Sequence, residues 1–174
     1  MEVANHISET AFLTNESRAR MVHVSKDIYA HLWVTPVTRK IWDDFAKEVY
    51  KHDDVELSIR NRYYLEHLKT FVRNHKDPVF INIGAGFTSY PFLIEESCHC
   101  IEIDYPHVIT FKRQKIEQWQ KEKLLPLREI EFFSTDLVSD NDFRELSDAF
   151  QRWTKGRSSF VLIEGVSYYT QRLK

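Results

Sequence analysis

The apolar positions of this chain follow two rules, and the change comes near residue 77. From Ile7 to Asn74 they recur at helical spacing, with no glycine and one proline, Pro36. A first helix is expected from Ser8-Glu9 through Ala11 and Phe12 to Val24. Ser25-Lys-Asp27 then caps a second, short one that ends near Thr35-Pro36. Pro36 suits the first turn of a third helix carrying Val37, Ile41, Trp42, Phe45 and Val49, which His52-Asp-Asp54 breaks. A fourth places Leu57, Tyr64, Leu65, Leu68, Phe71 and Val72 on one face and stops at Asn74-His-Lys-Asp-Pro78.

From Pro78 onward short apolar runs alternate with longer amphipathic ones. Strands are expected at Val79–Ile83, His99–Ile103, Ile130–Phe133 and Phe160–Ile163. Helices are expected from Pro106 to about Leu124 and from Asp140 to Lys155. Alternating βα units predict an open parallel α/β sheet with right-handed crossovers. No linker separates the halves, so residues 1–77 read as a helical cap on a core of residues 78–174, together one integrated domain. Phe160-Val-Leu-Ile163 is apolar on both faces, as a central strand would be. If the sheet ended there, the strand would offer an edge for self-association. We expect instead that this is the first part of a longer protein, incomplete after the fourth strand.

The chain has four glycines, and two of them form the turn Gly84-Ala85-Gly86 after the first strand. Glycine admits a positive φ and lets a ligand come close. A strand entering a helix near Thr88 or Ser89 through such a turn is expected to present free N–H groups to a nucleotide-type cofactor. Asp104, twenty residues past Gly84, ends the second strand, where a carboxylate accepts hydrogen bonds from both ribose hydroxyls of a nucleoside. Asp136 follows the third strand and suits an exocyclic amine such as that of adenine, with Leu137 packing on the ring. A turn or cap role for Asp136 is equally open. Glu164 ends the fourth strand, and ligands of open α/β sheets sit at these carboxyl ends.

Ser89 stands where a dinucleotide fingerprint would have its third glycine. S-adenosylmethionine, with one nucleoside and no pyrophosphate, suits the pattern better. Its cationic sulfonium and amino groups and its carboxylate call for acids and arginine together. Arg18, Arg60 and Arg62 are the candidates for the carboxylate, since guanidinium pairing is strong and directional.

Composition narrows the classes. A length of 174 residues, 43% hydrophobic, fits one globular domain, and a net charge of -2 argues against nucleic acid as the partner. No run approaches the roughly 18 apolar residues of a membrane span, and no apolar run follows the first residues as in a signal peptide. With only Cys98 and Cys100, a reduced cytoplasmic setting is expected. Cys98-His99-Cys100 is a poor metal site, because alternation sends His99 to the opposite face. The chain has no H-E-x-x-H, and Ser158, Ser159 and Ser167 lack a G-x-S-x-G setting. Lys112-Arg-Gln-Lys115 reads as the wet face of its helix, and the four tryptophans as core or half-buried.

Ile7-Ser-Glu-Thr-Ala11 with Arg18-Ala19, Ile59-Arg60-Asn-Arg62, Asn82-Ile-Gly-Ala-Gly86, Glu102-Ile-Asp-Tyr-Pro106 followed by Lys112, and Glu164-Gly165 with Tyr169 together resemble the leucine carboxyl methyltransferase family. That family includes bacterial O-methyltransferases of polyketide-type biosynthesis. The resemblance implies a Rossmann-like class I methyltransferase with S-adenosylmethionine as methyl donor. It implies Arg18 and Arg60 on the methionine carboxylate, and Gly84, in the turn with Ala85 and Gly86, against the cofactor. Asp104 would meet the ribose, Asp136 and Leu137 the adenine, and Glu164 the methionine amino group. The acceptor would be a carboxylate or hydroxyl, of a small molecule or a protein C-terminus; the alternative is a non-catalytic or truncated protein of this fold that acts as a binding module. No matched motif supplies a general base, and Tyr169 reads as a lining residue. Thr88 departs from the family's usual Asp after Gly-Ala-Gly-x, and Tyr90-Pro-Phe92 replaces its arginine-bearing run. The family's later strands and substrate-covering segment do not follow Glu164-Gly165.

Overall fold

The computed structural model describes residues 9–137 and 139–166. Two compact units emerge: one joins residues 1–67 to 87–94, the other 68–86 to 95–174.

The first unit is helical. Helix α1 spans Glu9–Arg20 and α2 Val22–Ser25, followed by a 3-10 turn at Ala30–Trp33. Helix α3 spans Pro36–Glu48, with proline in its first turn as the sequence predicts. Its N-cap is reciprocal. The Thr35 hydroxyl accepts from Thr38 N–H at 3.1 Å, and Thr38 Oγ1 accepts from Thr35 N–H at 2.8 Å. The last long helix, α4, runs Asp53–Asn74, with three acidic residues in its first turn facing the positive end of the helix dipole. Its inner face in this unit carries Leu57 and Leu65, but also the buried polar residues Ser58 and Asn61. Each completes a backbone carbonyl of the α1–α2 segment: Ser58 Oγ donates to Ser17 O at 3.2 Å and Asn61 Nδ2 to Ser25 O at 2.9 Å. Residues 87–94 close this unit through Phe87, which stacks on Trp33 at 4.5 Å and packs on Phe12 at 4.8 Å. They contain the four-residue helix α5, Tyr90–Leu93.

The second unit is a four-stranded parallel sheet, β1 Val79–Ile83, β2 His99–Asp104, β3 Ile130–Ser134 and β4 Ser159–Ile163, in the order β3-β2-β1-β4. All of β1 is buried, its four apolar residues and Asn82 alike, as befits a central parallel strand. Helix α6, Pro106–Lys121, packs on β2 and β3, and α7, Asp140–Thr154, covers the other face. Against α7 lie Val79, Ile81, Ile83, Ile101 and Ile103, closed by Leu146, Ala149 and Trp153. Helices on both faces of an open parallel sheet, with the strand order reversing beside β1, make this a Rossmann-like α/β fold.

Among the described strands β4 lies at an edge beside β1, as expected where the sheet ends at this strand, with Val161 and Ile163 exposed at 43% and 57%. Its apolar composition is satisfied on one face only, where Leu162 is buried and Phe160 packs on Phe71 at 5.5 Å. Lys112 is not on the wet face of α6. The buried stripe of that helix is Val108, Ile109, Lys112, Ile116 and Trp119, and lysine occupies a core position in it. All four tryptophans are buried. Among the described residues, no helix is long and apolar enough to cross a membrane. Ser8, Ser167, Tyr169 and Lys174 lie outside the described residues.

Candidate functional site

Strand order sets the site. Reading across the carboxyl ends in the order β3-β2-β1-β4, the chain places Asp136, Asp104, Gly84 and Glu164 just beyond successive strands or at their last residue. Crevices at this end of a parallel sheet, where the order reverses, are the usual ligand sites of such folds.

The turn itself differs from expectation. Gly84 and Gly86 take φ of 69° and 43°, conformations that favour glycine. Yet the N–H groups of the turn are spent inside the protein. Gly84 N–H and Ala85 N–H both donate to Ile103 O, at 2.8 and 3.0 Å, and Gly86 N–H donates to Asp104 Oδ2 at 2.7 Å. No row of free donors is offered to a phosphate. A Cβ on Gly84 would lie 2.2 Å from Val166 Cγ2, so the room left by the missing side chain is filled by the segment after β4. The physical reason is the register: β1 runs between β2 and β4, and its turn is folded back onto both neighbours.

Asp104 is the residue that the turn orients. Its Oδ2 accepts from Gly86 and its Oδ1 from Tyr105 N–H at 2.7 Å, while its carbonyl accepts from Thr135 N–H at 3.0 Å. A carboxylate has about four lone-pair sites, so two in-plane acceptors remain after these bonds. They are the chemistry a vicinal diol needs. The part-buried carboxylate and its fixed orientation therefore fit a ribose, and the spent N–H groups fit a nucleoside without a pyrophosphate.

Beside Asp104, Tyr105 was not singled out by its sequence position as a site residue. Its phenol is pushed up by desolvation and, less, by the carboxylates of Asp136 and Asp104; the side chain is exposed, and its ring stacks on His107 with centroids 5.8 Å apart. The signal available in the sequence was a large aromatic directly after the strand-ending acid. Asp136 N–H is held by Asp142 Oδ2 at 2.9 Å, and Leu137 packs its side chain against the core on the α7 face. Glu164 follows β4 directly and is part-buried.

Below Asp104 lies a buried pair. Lys112 Nζ is 2.7 Å from Glu102 Oε2, and both side chains are essentially inaccessible. Lys112 Nζ also donates to Ala85 O at 3.4 Å. Burial pushes the Glu102 carboxyl up, and Lys112 and the Asn82 side chain pull it back.

Arg18 and Arg60 belong to the helical unit. Arg18 is buried, its Nε 3.4 Å from Asp27 Oδ2 and its Nη2 donating to Phe87 O at 3.1 Å and Asn15 Oδ1 at 3.3 Å. Arg60 is part-buried and lowers the carboxyl of Asp53, which burial raises; Arg62 is exposed. Ser89, the residue before α5, makes no side-chain cap hydrogen bond.

At the opposite, amino-terminal end of β2 the two cysteines are free thiols, and Cys100 Sγ donates to Cys98 O at 3.5 Å. The interaction between the two thiols, and then burial, push Cys100 up, and the same thiol–thiol interaction pulls Cys98 down. His99 lies between Glu131, at 3.0 Å, and Arg157, at 2.9 Å. Since Arg157 has only donors to offer, His99 Nδ1 accepts and Nε2–H donates to Glu131. Among the described residues, no three histidine, cysteine, aspartate or glutamate side chains gather as a metal site.

A family model described as leucine carboxyl methyltransferase matches residues 9–173. Comparison with curated proteins gives no match.

Proposed function

The chain belongs to the leucine carboxyl methyltransferase family, and from that premise we propose that it binds S-adenosylmethionine and transfers its methyl group to an oxygen of a carboxylate or hydroxyl acceptor. When bound, the cofactor supplies an electrophilic methyl on a sulfonium. The protein has to hold the nucleoside, orient the acceptor in line and keep water out.

The observation that carries the reading is Asp104. Its carboxylate is pinned by Gly86 N–H and Tyr105 N–H, with acceptor sites left for two ribose hydroxyls. Tyr105, Asp136 and Leu137 follow on the adenine side, and Glu164 on the side of the amino group. Arg18 and Arg60 are assigned to the methionine carboxylate by the family pattern alone. With a carboxylate acceptor no general base is needed, and positioning carries the catalysis. A hydroxyl acceptor would need one, and none of the residues assigned above has that role.

Calorimetric titration with S-adenosylhomocysteine tests this. The chain is expected to bind, and Asp104→Ala to weaken binding by about 1–3 kcal/mol through lost charge-assisted hydrogen bonds. Absence of binding both by this chain and by a full-length version rejects the cofactor. Equal affinity in Asp104→Ala rejects Asp104 as the ribose ligand.

A further inference from the structure

We propose that Lys112 is a positioning residue for the cofactor turn, holding the Ala85 peptide so that Gly86 and Asp104 keep their geometry; the assignment rests on reading that turn as the S-adenosylmethionine site.

Lys112 is anomalous where it stands. It occupies a core position of α6, between Ile109 and Ile116, while Arg113 and Gln114 beside it are exposed. An apolar residue would fill that position without desolvating an ammonium. Replacing a buried ion pair by apolar side chains of similar volume is often neutral or stabilising, so stability does not explain a lysine here. The geometry at the carboxylate sharpens the point, because neither Glu102 oxygen has a well-aligned hydrogen bond.

What lysine supplies and an apolar residue cannot is a donor aimed at Ala85 O, 3.4 Å away. Ala85 lies between two glycines with positive φ, where the peptide planes are least restrained by side chains. From the N–H side the turn is tied to β2 by Ile103 O and Asp104 Oδ2. From the carbonyl side it is tied by Lys112, whose charge is balanced by Glu102 on the same β2 strand. Glu102 and Asp104 are two residues apart in β2 and share a face. The turn is therefore clamped to one strand from both sides of its peptide plane. The clamp sets where Gly86 N–H meets the carboxylate.

Amide hydrogen exchange on the ligand-free full chain, with S-adenosylhomocysteine titrations alongside, tests this in Lys112→Met and in the double variant Glu102→Gln/Lys112→Met. The double variant removes both charges together and keeps the assay available if the single one fails to fold. In a folded variant, Ala85 and Gly86 amides are expected to lose protection by about 10-fold more than amides of β4 and α7, and S-adenosylhomocysteine affinity to fall by about 10-fold. A merely structural lysine would lower protection everywhere in proportion. Turn amides that keep their protection relative to the rest overturn the proposal, as does unchanged affinity in a chain that binds the ligand. If neither the unaltered chain nor a full-length version binds S-adenosylhomocysteine, the cofactor reading falls, and the exchange data alone decide whether Lys112 holds the turn.

Discussion

Two buried ion pairs, one in each unit, use the same device with different parts. In the helical unit Arg18 faces Asp27 and donates to Phe87 O; in the sheet unit Lys112 faces Glu102 and donates to Ala85 O. Each cation thus combines a carboxylate with a main-chain carbonyl. Arginine has five donors in a rigid fork and cannot give up its charge, whereas lysine is a point charge that can shed its proton when buried alone. The surroundings match that difference. The arginine pair is densely stitched. Asn15 accepts from Arg18 and donates to Ala30 O, Ser25 Oγ donates to Arg18 O, and Asp27 accepts from Tyr29 N–H. Around Glu102 the side-chain support is thinner, with Asn82 the other partner that pulls its carboxyl down. The comparison teaches that a buried charge can serve two ends. One pair fixes a packed helical unit, and the other holds a turn.

The sharpest way to break the comparison is to remove each carboxylate. Asp27→Asn leaves a guanidinium buried with no counter-charge and no means to neutralise itself. It is expected to cost about 3–5 kcal/mol in chemical denaturation at neutral pH. Glu102→Gln leaves a lysine that can deprotonate, so a loss of about 1–3 kcal/mol is expected, shrinking as pH rises. Equal losses in both at neutral pH would show that the two pairs are equivalent.

A smaller effect sharpens the sheet pair alone. Burial raises the Glu102 carboxyl above its ordinary value of 4.5, so the folded state binds that proton more tightly than the unfolded chain. Its stabilising contribution is therefore fully present below 4.5 and is lost as pH rises through the folded value. Denaturation midpoints of the unaltered chain, referenced to Glu102→Gln/Lys112→Met, are expected to fall as pH rises above 4.5. A flat difference would mean that Lys112 fully offsets the burial.

Much of this architecture was legible before any coordinates. The run Val79–Ile83 predicts a buried strand and is one, and the proline at the start of α3 and the alternation of βα units were equally plain. These features rest on local rules of periodicity, φ restriction and turn chemistry, which a linear sequence carries in full. The edge expected at Phe160–Ile163 where the sheet ends is present, with Val161 and Ile163 exposed on its outer face. The wet-face reading of Lys112 failed. Charge predicts exposure unless a partner is buried with it, and Glu102 sits on a different element.

The glycine turn shows the same division. Its composition, its place after a buried strand and the acid at Asp104 were written in the order of residues, and so was the nucleoside-type chemistry they suggest. That its N–H groups turn inward, that Val166 fills the space at Gly84, and that Lys112 grips Ala85 were decided only when β2, β4 and α6 came to lie beside β1. The sequence by itself determined which groups are available along the chain. Only the tertiary structure decided which of them are already spent, because hydrogen bonds and ion pairs are chosen among neighbours in space.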